Sequence, residues 1–235
     1  GTTEIGTYSI DPTTGQVTFT PSDKSYTGAV TPAKVQAESS NGIKVDTTYT
    51  PEIVPVTPTA TPAETEDIQG ATQTGKPEFK GGTVTVDGVE KTVEINEDVP
   101  AKFDDGSTTK TVEGVGTYTV ASDGTVTFVH EKSFVGTAPA VTVVREDKNG
   151  TKASATYTPT VLPVTPTATP AETTDIQGAT QKGKPEFKGG TVTVDGVEKT
   201  VEINEDVPAT FDDGSTTKTV EGVGTYTVAA DGTVT

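Results

Sequence analysis

The chain lacks cysteine, methionine and tryptophan and has a single histidine among its 235 residues. Without cysteine it can form no disulfide, no thiolate metal site and no cysteine nucleophile. The missing Met and Trp side chains are readily oxidised, so their absence suits an exposed extracellular setting. No apolar stretch approaches the roughly 20 residues that span a bilayer, and Gly1–Glu4 do not resemble a signal peptide. We expect no membrane insertion in this segment, and any export or anchoring signal to lie outside it.

Basic residues are scarce, with 17 Lys and Arg against 34 Asp and Glu, giving a formal net charge of -17. Such a surface repels nucleic acid and anionic membranes, so nucleic acid is not an expected partner. Hydrophobic residues make up 30% and aromatic residues 6% of the chain, while Thr is abundant and Val is spread evenly. This composition favours small β-rich units over one large core or full disorder.

A proline-rich string, "PVTPTATPAET", occurs at 55–65 and again at 163–173, which gives a period of 163 − 55 = 108 residues. Between 55–127 and 163–235 only four of 73 positions differ: Glu66/Thr174, Thr74/Lys182, Lys102/Thr210 and Ser122/Ala230. A more divergent copy begins the chain, where "GTYSIDPTTGQVTF" from Gly6 aligns with "GTYTVASDGTVTF" from Gly116. A period this long exceeds that of solenoid repeats, so it predicts self-contained domains in a string.

The period predicts the domain boundaries: 1–54 as the C-terminal half of one repeat, 55–65 as a Pro/Thr linker, 66–162 as a complete repeat, 163–173 as a second linker and 174–235 as the N-terminal part of the next repeat. Proline-rich linkers favour an extended polyproline II conformation of about 3.1 Å per residue, so we expect the linkers to be stiff spacers. The alternative is a polyproline ligand for an SH3-like partner. The lack of a flanking basic residue disfavours it.

Alternating apolar residues and tight-turn dipeptides predict antiparallel strands. In "GTYTVASDGTVTFV" the apolar residues Tyr118, Val120, Val126 and Phe128 alternate with Thr around a turn at Asp123-Gly124. Further turns are predicted at Asn41-Gly42, Asp87-Gly88, Asp105-Gly106 and Asn149-Gly150, and further inward positions at Val141, Val143, Ala153, Ala155 and Tyr157. About seven short strands per copy predict an all-β chain of tandem β-sandwich domains, Ig-like or similar, with a small barrel as the alternative.

No set of residues in the sequence predicts catalysis, so we expect no enzyme, no catalytic residue, no cofactor and no metal site. His130 is the only histidine and follows a strand, a setting typical of a surface residue. The carboxylate pairs lack the alternating spacing of a calcium loop, which leaves weak cation binding as the alternative; they are Glu97-Asp98, Asp104-Asp105, Glu205-Asp206 and Asp212-Asp213. An internal Lys–Asn amide or Thr–Gln ester cross-link is a further alternative, although Asn41, Asn96, Asn149 and Asn204 fall in turns or at strand ends.

Three long strings carry a family resemblance: "PTATPAETTDIQGATQ", "FDDGSTTKTVEGVGTYTVASDGTVTF" and "FVGTAPAVTVVREDKNGTKASATYTPTV". Their order and spacing resemble the CshA-type fibril repeat of Gram-positive, streptococcal-type surface adhesins. The resemblance implies tandem arrays on the bacterial cell surface, anchored to the cell wall through a region outside this segment. In that family the array forms a fibrillar stalk, and adhesion is attributed mainly to a non-repetitive N-terminal region.

The resemblance therefore implies a stalk or spacer that projects an adhesive tip. The alternative is that the repeats are themselves a multivalent adhesive module for host protein, glycan or another bacterial cell. The expected partners are neighbouring repeats in the same chain and, through the full-length protein, host matrix protein or other bacterial cells.

Overall fold

The fold is entirely built from strands. A computed structural model describes residues 4–235, in which there are twenty-five strands and no helix, so the all-β prediction is confirmed. Residues 1–3 lie outside the described residues. They make up most of Gly1–Glu4, the stretch that does not resemble a signal peptide. Within residues 4–235 no helix has the length and apolar character that crossing a membrane requires.

The first copy has six strands that form three antiparallel pairs, the first with the second, the third with the sixth, and the fourth with the fifth. The predicted turn at Asn41-Gly42 joins the fourth strand to the fifth, and Gly42 has a φ of 80°, a conformation that glycine adopts without strain. The strands are β1 (Gly6–Ile10), β2 (Val17–Pro21), β3 (Gly28–Ala29), β4 (Ala33–Glu38), β5 (Lys44–Tyr49) and β6 (Glu52–Ile53).

The middle copy contains thirteen strands, more than the seven or so predicted, because several hold only two or three residues. They are β7 (Thr59–Thr61), β8 (Ala63–Ile68), β9 (Gln73–Gly75), β10 (Glu78–Lys80), β11 (Gly82–Val86), β12 (Val89–Val93), β13 (Lys102–Phe103), β14 (Thr109–Val112), β15 (Gly116–Val120), β16 (Val126–His130), β17 (Gly136–Thr137), β18 (Val141–Glu146) and β19 (Lys152–Leu162).

Two sheets face each other in the middle copy. One has the order β13-β18-β19-β17, with β8 also paired to β19, and the other has the order β14-β15-β16-β9. Gly75 in β9 lies so close to the ring of Tyr157 in β19 that a Cβ at Gly75 would overlap it. Direct packing between separate sheets makes this copy a β-sandwich and excludes the barrel alternative.

The core contains the side chains that the alternating pattern predicted. Tyr118, Val126 and Phe128 from one sheet are fully buried, as are Val143 and Tyr157 from the other, so these predicted inward positions are confirmed. Val120, Val141 and Ala155 are buried as well, while Ala153 is half-buried. The Tyr118 hydroxyl donates a hydrogen bond to the carbonyl oxygen of Pro139 at 2.7 Å. Burial raises the pKa of Tyr118 to about 12, which keeps this donor protonated.

Two predicted turns have different roles in the fold. Asp87 and Gly88 have φ values of 50° and 76° and close the β11–β12 hairpin, as expected for a type I′ turn. Strands also flank Asp105-Gly106, as predicted, but they do not pair with each other. Strand β13 pairs with β18, whereas β14 pairs with β15, so this turn carries the chain from one sheet to the other.

The Pro/Thr-rich segments contribute strands, which corrects the expectation of a free polyproline II spacer. Residues Thr59–Thr61 pair antiparallel with Glu78–Lys80, and β8 pairs with β19. A Cβ at Gly82 would overlap the carbonyl oxygen of Thr57, so the chain before β7 also packs on the domain. Backbone pairing with distant residues overrides the local preference of the prolines. The boundaries given above remain predictions.

The third copy repeats the same pairings as far as it extends, with β20 on β21, β22 on β23 and β24 on β25. The strands are β20 (Thr167–Thr169), β21 (Glu186–Lys188), β22 (Gly190–Val194), β23 (Val197–Val201), β24 (Thr217–Val220) and β25 (Gly224–Thr227). The described residues of the third copy stop at the counterpart of Thr127, and among them Tyr226 is 44% exposed while its counterpart Tyr118 is buried.

The chain divides into two compact units. One consists of the chain up to Thr65, Thr72–Val129 and Ala138–Pro159, and it includes the sandwich core. The other consists of Glu66–Ala71, His130–Thr137 and Thr160–Thr235. The second unit therefore contains two short segments and the last strand residues of the middle copy together with the whole described third copy.

Candidate functional site

The single histidine serves to fix a loop. Nε2 of His130 accepts a hydrogen bond from the Gly70 N–H at 2.8 Å, and Nδ1 lies 2.7 Å from the carbonyl oxygen of Glu131. Because Nε2 is the acceptor, the proton lies on Nδ1 and is donated to Glu131. Both ring nitrogens are thus engaged with backbone groups, an arrangement that holds 66–71 against the end of β16.

The carboxylates of Asp104-Asp105 and of their copies Asp212-Asp213 stabilise turns and bind lysines. Asp104 accepts from Lys110 at 2.9 Å, and Asp105 accepts from the Ser107 N–H at 2.8 Å. The hydrogen bonds from the Ser107 hydroxyl and N–H are the main cause that lowers the pKa of Asp105. Asp212 and Asp213 repeat these contacts in the third copy, and the N–H of Asp206 donates to Asn204. Across residues 4–235 no three His, Asp or Glu side chains are grouped closely enough to hold a metal ion.

Sequence reasoning missed two charged side chains that point inward. Arg145 is 7% exposed and donates from Nη2 to Oε2 of Glu97 at 2.9 Å. Asp147 is fully buried, and its Oδ1 accepts from the N–H groups of Asn149 and Thr151 at 2.9 Å each. The signal was present in the sequence, because counting every second residue from Val141 reaches both. The Asp147 side chain holds the predicted Asn149-Gly150 turn in place, and the Arg145 side chain holds the loop that contains Glu97.

A hydroxyl–amide contact bears on the ester alternative. The Thr65 hydroxyl donates to Oε1 of Gln73 at 2.6 Å and lies 2.7 Å from the hydroxyl of Tyr157. Thr173 and Gln181 repeat the first contact at 2.6 Å in the third copy. At this distance the contact is a half-buried hydrogen bond between β8 and β9, and the cross-link alternatives remain predictions.

A contact between successive copies lies within the second compact unit. Nζ of Lys199, in β23 of the third copy, is 2.6 Å and 2.7 Å from the two carboxylate oxygens of Asp67, in β8 of the middle copy. The Asp67 side chain is 18% exposed and that of Lys199 is 34% exposed. No pattern in the sequence indicated this pair, because its members are 132 residues apart. We call Asp67, Lys199 and the chain between Leu162 and Thr165 the joint.

The family assignment follows from a match over almost the whole chain. A family model described as the surface adhesin CshA repetitive domain matches residues 2–53, 55–161 and 163–235. The chain belongs to the CshA repeat family. The matched ranges hold the same three copies that the 108-residue period identified, and the predicted resemblance is confirmed.

Solved structures include a CshA repeat from a streptococcus. Repeat domain 13 of the fibrillar adhesin CshA from Streptococcus gordonii is 57% identical over 28% of this chain and 86% of that chain, with a TM-score of 0.18. The N-terminal eight Ig domains of Down Syndrome Cell Adhesion Molecule match at 15% identity over 100% of this chain and 31% of that chain, with a TM-score of 0.31. A search of curated proteins found no match.

A shallow groove of about 500 Å³ in the middle CshA repeat has charged walls, with Lys76, Asp123, Glu97 and Arg145 among its lining residues. Lys76 pairs with Asp123 at 2.8 Å and Arg145 pairs with Glu97 at 2.9 Å. Each of these charges already has an opposite partner inside the groove. An incoming charged ligand would have to compete with them, so the groove is better suited to stabilising the repeat than to binding an ion.

Asparagine at position 123 will lower the stability of the middle repeat at neutral pH but not in strong acid. Hydrogen bonds from Lys76 and Thr125 hold the pKa of Asp123 well below its usual 3.8. A lowered pKa stabilises the fold above about pH 4, and this contribution is lost as the pH falls through the lowered value. Because the pair is exposed, Asp123→Asn should cost below about 1 kcal/mol.

Urea unfolding of both proteins at about pH 7 and about pH 2 measures this effect, and we expect the difference in stability between them to be smaller at the lower pH. We expect Lys76→Gln to give the same loss at neutral pH, since it removes the same pair. A difference between Asp123→Asn and the parent that stays constant across this range would contradict the assignment.

Proposed function

We propose that this segment is part of a stalk that projects an adhesive tip away from a bacterial cell. The observation that carries the proposal is repetition: the middle copy has its own two-sheet core, and the sequence of its residues 55–127 recurs almost unchanged 108 residues later. Adding such domains lengthens a chain without requiring any new site. Membership of a surface adhesin family supports a cell-surface location, and anchoring to the cell wall through a region outside the segment is part of the proposal.

The chemistry of the described surface supports a structural role. Carboxylates accept hydrogen bonds from turn N–H groups or pair with lysines, and the histidine binds two backbone groups. These polar groups maintain the fold rather than face a substrate. The net charge of -17 makes neighbouring fibres repel each other, which favours an extended and separated arrangement.

An adhesion assay distinguishes the stalk from an adhesive module. Beads coated with the 235-residue chain are offered to immobilised host matrix protein, to host glycans and to other bacterial cells. We expect attachment no greater than with beads that carry an unrelated protein of similar net charge. Robust attachment to any of these surfaces would overturn the stalk proposal in favour of adhesive repeats, since many weak sites on one fibre bind strongly together.

A complementary test varies reach. An adhesive domain of known ligand is displayed on a cell surface behind none, one or two copies of residues 55–162. We expect cell attachment to rise with each copy while the affinity of the isolated adhesive domain stays unchanged. Attachment that does not depend on the number of copies would contradict a spacer role.

A further inference from the structure

We propose that the ion pair between Asp67 and Lys199 is a lock that fixes the angle between consecutive repeats, and that ionic strength controls how often this lock is closed. Its biological meaning rests on the proposed stalk role, because an angle between repeats matters most in a projecting fibre. The lock itself is a property of the joint and can be measured without any adhesion assay.

An internal comparison indicates that the middle repeat covers the Lys199 hairpin. The hairpin 189–201 has the same sequence as 81–93, so a difference in side-chain exposure between them must come from their surroundings. Yet Val194 is buried at 3% exposure where Val86 is half-buried, and Lys199 is half-buried where Lys91 is exposed. The Asp67 carboxylate of the preceding repeat lies on the Lys199 ammonium group, which accounts for the lower exposure of that side chain.

The acceptor side of the lock is held rigidly. The Ile68 N–H donates to Oδ1 of Asp67 at 2.7 Å, and the Ile68 side chain is buried. The following residue, Gln69, donates from its N–H to Leu162 at 2.8 Å and from Nε2 to the carbonyl oxygen of Lys132 at 2.6 Å. With its neighbours fixed, the Asp67 carboxylate loses little freedom when it binds an ammonium group.

The chain between the two repeats leaves a short hinge. Leu162 ends β19 and accepts from Gln69, while Thr165 lies against Gly190, where a Cβ would overlap the Thr165 carbonyl oxygen. The Gly82–Thr57 contact is the equivalent in the middle repeat, so each hairpin packs on the start of its own repeat. Only Pro163 and Val164 remain between these anchors, and the Val164 side chain also lies against Gly190. Since proline has a fixed φ, few dihedral angles separate the closed joint from an open one.

An electrostatic lock of this kind is sensitive to salt. The Debye length is about 10 Å at 0.1 M and about 3 Å at 1 M ionic strength. The Lys199 side chain is one-third exposed, so added ions reach the pair and weaken the attraction between Lys199 and Asp67. Each repeat carries both halves of the lock, because Lys91 and Asp175 occupy the equivalent positions in the middle and third copies. A longer array would therefore have one such lock at every joint.

Pulsed electron spin resonance distances test the lock directly. The chain has no cysteine, so Ser133→Cys and Thr193→Cys introduce unique positions for spin labels within the second compact unit. Thr193 is exposed and projects from the opposite face of the hairpin to Lys199, whose cross-strand partner is Val192. We expect one narrow distance distribution at low salt. Asp67→Asn and Lys199→Gln should each lower the ratio of closed to open joints about fivefold.

Matched variants keep the test decisive. Lys91→Gln makes the same change in an identical hairpin that lacks this partner, and it should leave the distribution unchanged. The double charge reversal, Asp67→Lys with Lys199→Asp, should restore the narrow distance distribution. Raising the salt concentration to 1 M should broaden the distance distribution of the parent but leave the distribution of Asp67→Asn unchanged. A broad parent distribution at low salt, or a single variant that superimposes on the parent, would overturn the lock whether or not the stalk proposal stands.

Discussion

The substitution Gly75→Ala will destabilise the middle repeat by about 3 kcal/mol. The equivalent substitution in the third copy, Gly183→Ala, will change stability by less than about 0.5 kcal/mol. Gly75 lies in β9 against the ring of Tyr157, and its Cβ would overlap that ring. Tyr157 is fully buried between the sheets and cannot move aside without disturbing the core. At Gly183 the nearest atom, Cγ2 of Thr173, is 3.3 Å from an added Cβ and lies on an exposed side chain.

Hydrogen exchange separates the two repeats in one molecule. The residues of β19 have a unique sequence in this chain, so their amides report the middle repeat alone. We expect Gly75→Ala to accelerate exchange in β19 and Gly183→Ala to leave it unchanged. Equal effects of the two variants on β19, or an unperturbed β19 in Gly75→Ala, would show that Gly75 does not pack against Tyr157 as described.

Truncating Tyr118 to alanine will cost about 3 to 5 kcal/mol, the range for removing a large aromatic side chain from a packed core. The ring lies 4.5 Å from that of Phe128, centroid to centroid, and the hydroxyl donates to Pro139. The matched variant is Tyr226→Ala in the third copy, where the same residue is 44% exposed. We expect the matched change to cost under about 1 kcal/mol, since little apolar surface is released from burial.

Thermal unfolding followed by circular dichroism measures both tyrosine variants. Tyr118→Phe should cost about 1 to 2 kcal/mol, because it keeps the ring and leaves the Pro139 carbonyl without its donor. Equal destabilisation by Tyr118→Ala and Tyr226→Ala would contradict the placement of Tyr118 in the core. Tyr118→Phe as damaging as Tyr118→Ala would show that the hydroxyl, rather than the ring, provides the stability.

Local sequence patterns predicted the strands, turns and buried faces that depend on residues close together in the chain. Alternation around Asp123-Gly124 identified the β15–β16 hairpin and its buried face, because the turn and both strands lie within fourteen residues of one another. The partner of a strand is a nonlocal property. The pattern around Asp105-Gly106 therefore predicted two strands correctly but could not indicate that they enter different sheets.

Composition was misleading where pairing with distant residues decided the conformation. The prolines at 55–65 suggested a polyproline II spacer, yet Thr59–Thr61 pair with β10, and the pattern of the segment itself gives no sign of this. Likewise Arg145 was overlooked because charged residues are rarely buried, although the alternation of β18 continues through it. The Asp67–Lys199 pair depends on how two repeats meet, and no pattern within a single repeat encodes that.

The pairing of β8 with β19 determines how a repeat bears tension. Strand β8 follows the short first strand β7 of the middle repeat, β19 is its last strand, and β8 and β19 lie side by side. Their contacts advance in the same direction, from Thr65 with Tyr157 to Gln69 with Leu162, so the strands run parallel. Flow that pulls on a fibre would draw them past each other lengthwise. All the hydrogen bonds between them would then share the load at once, instead of opening one after another from an end.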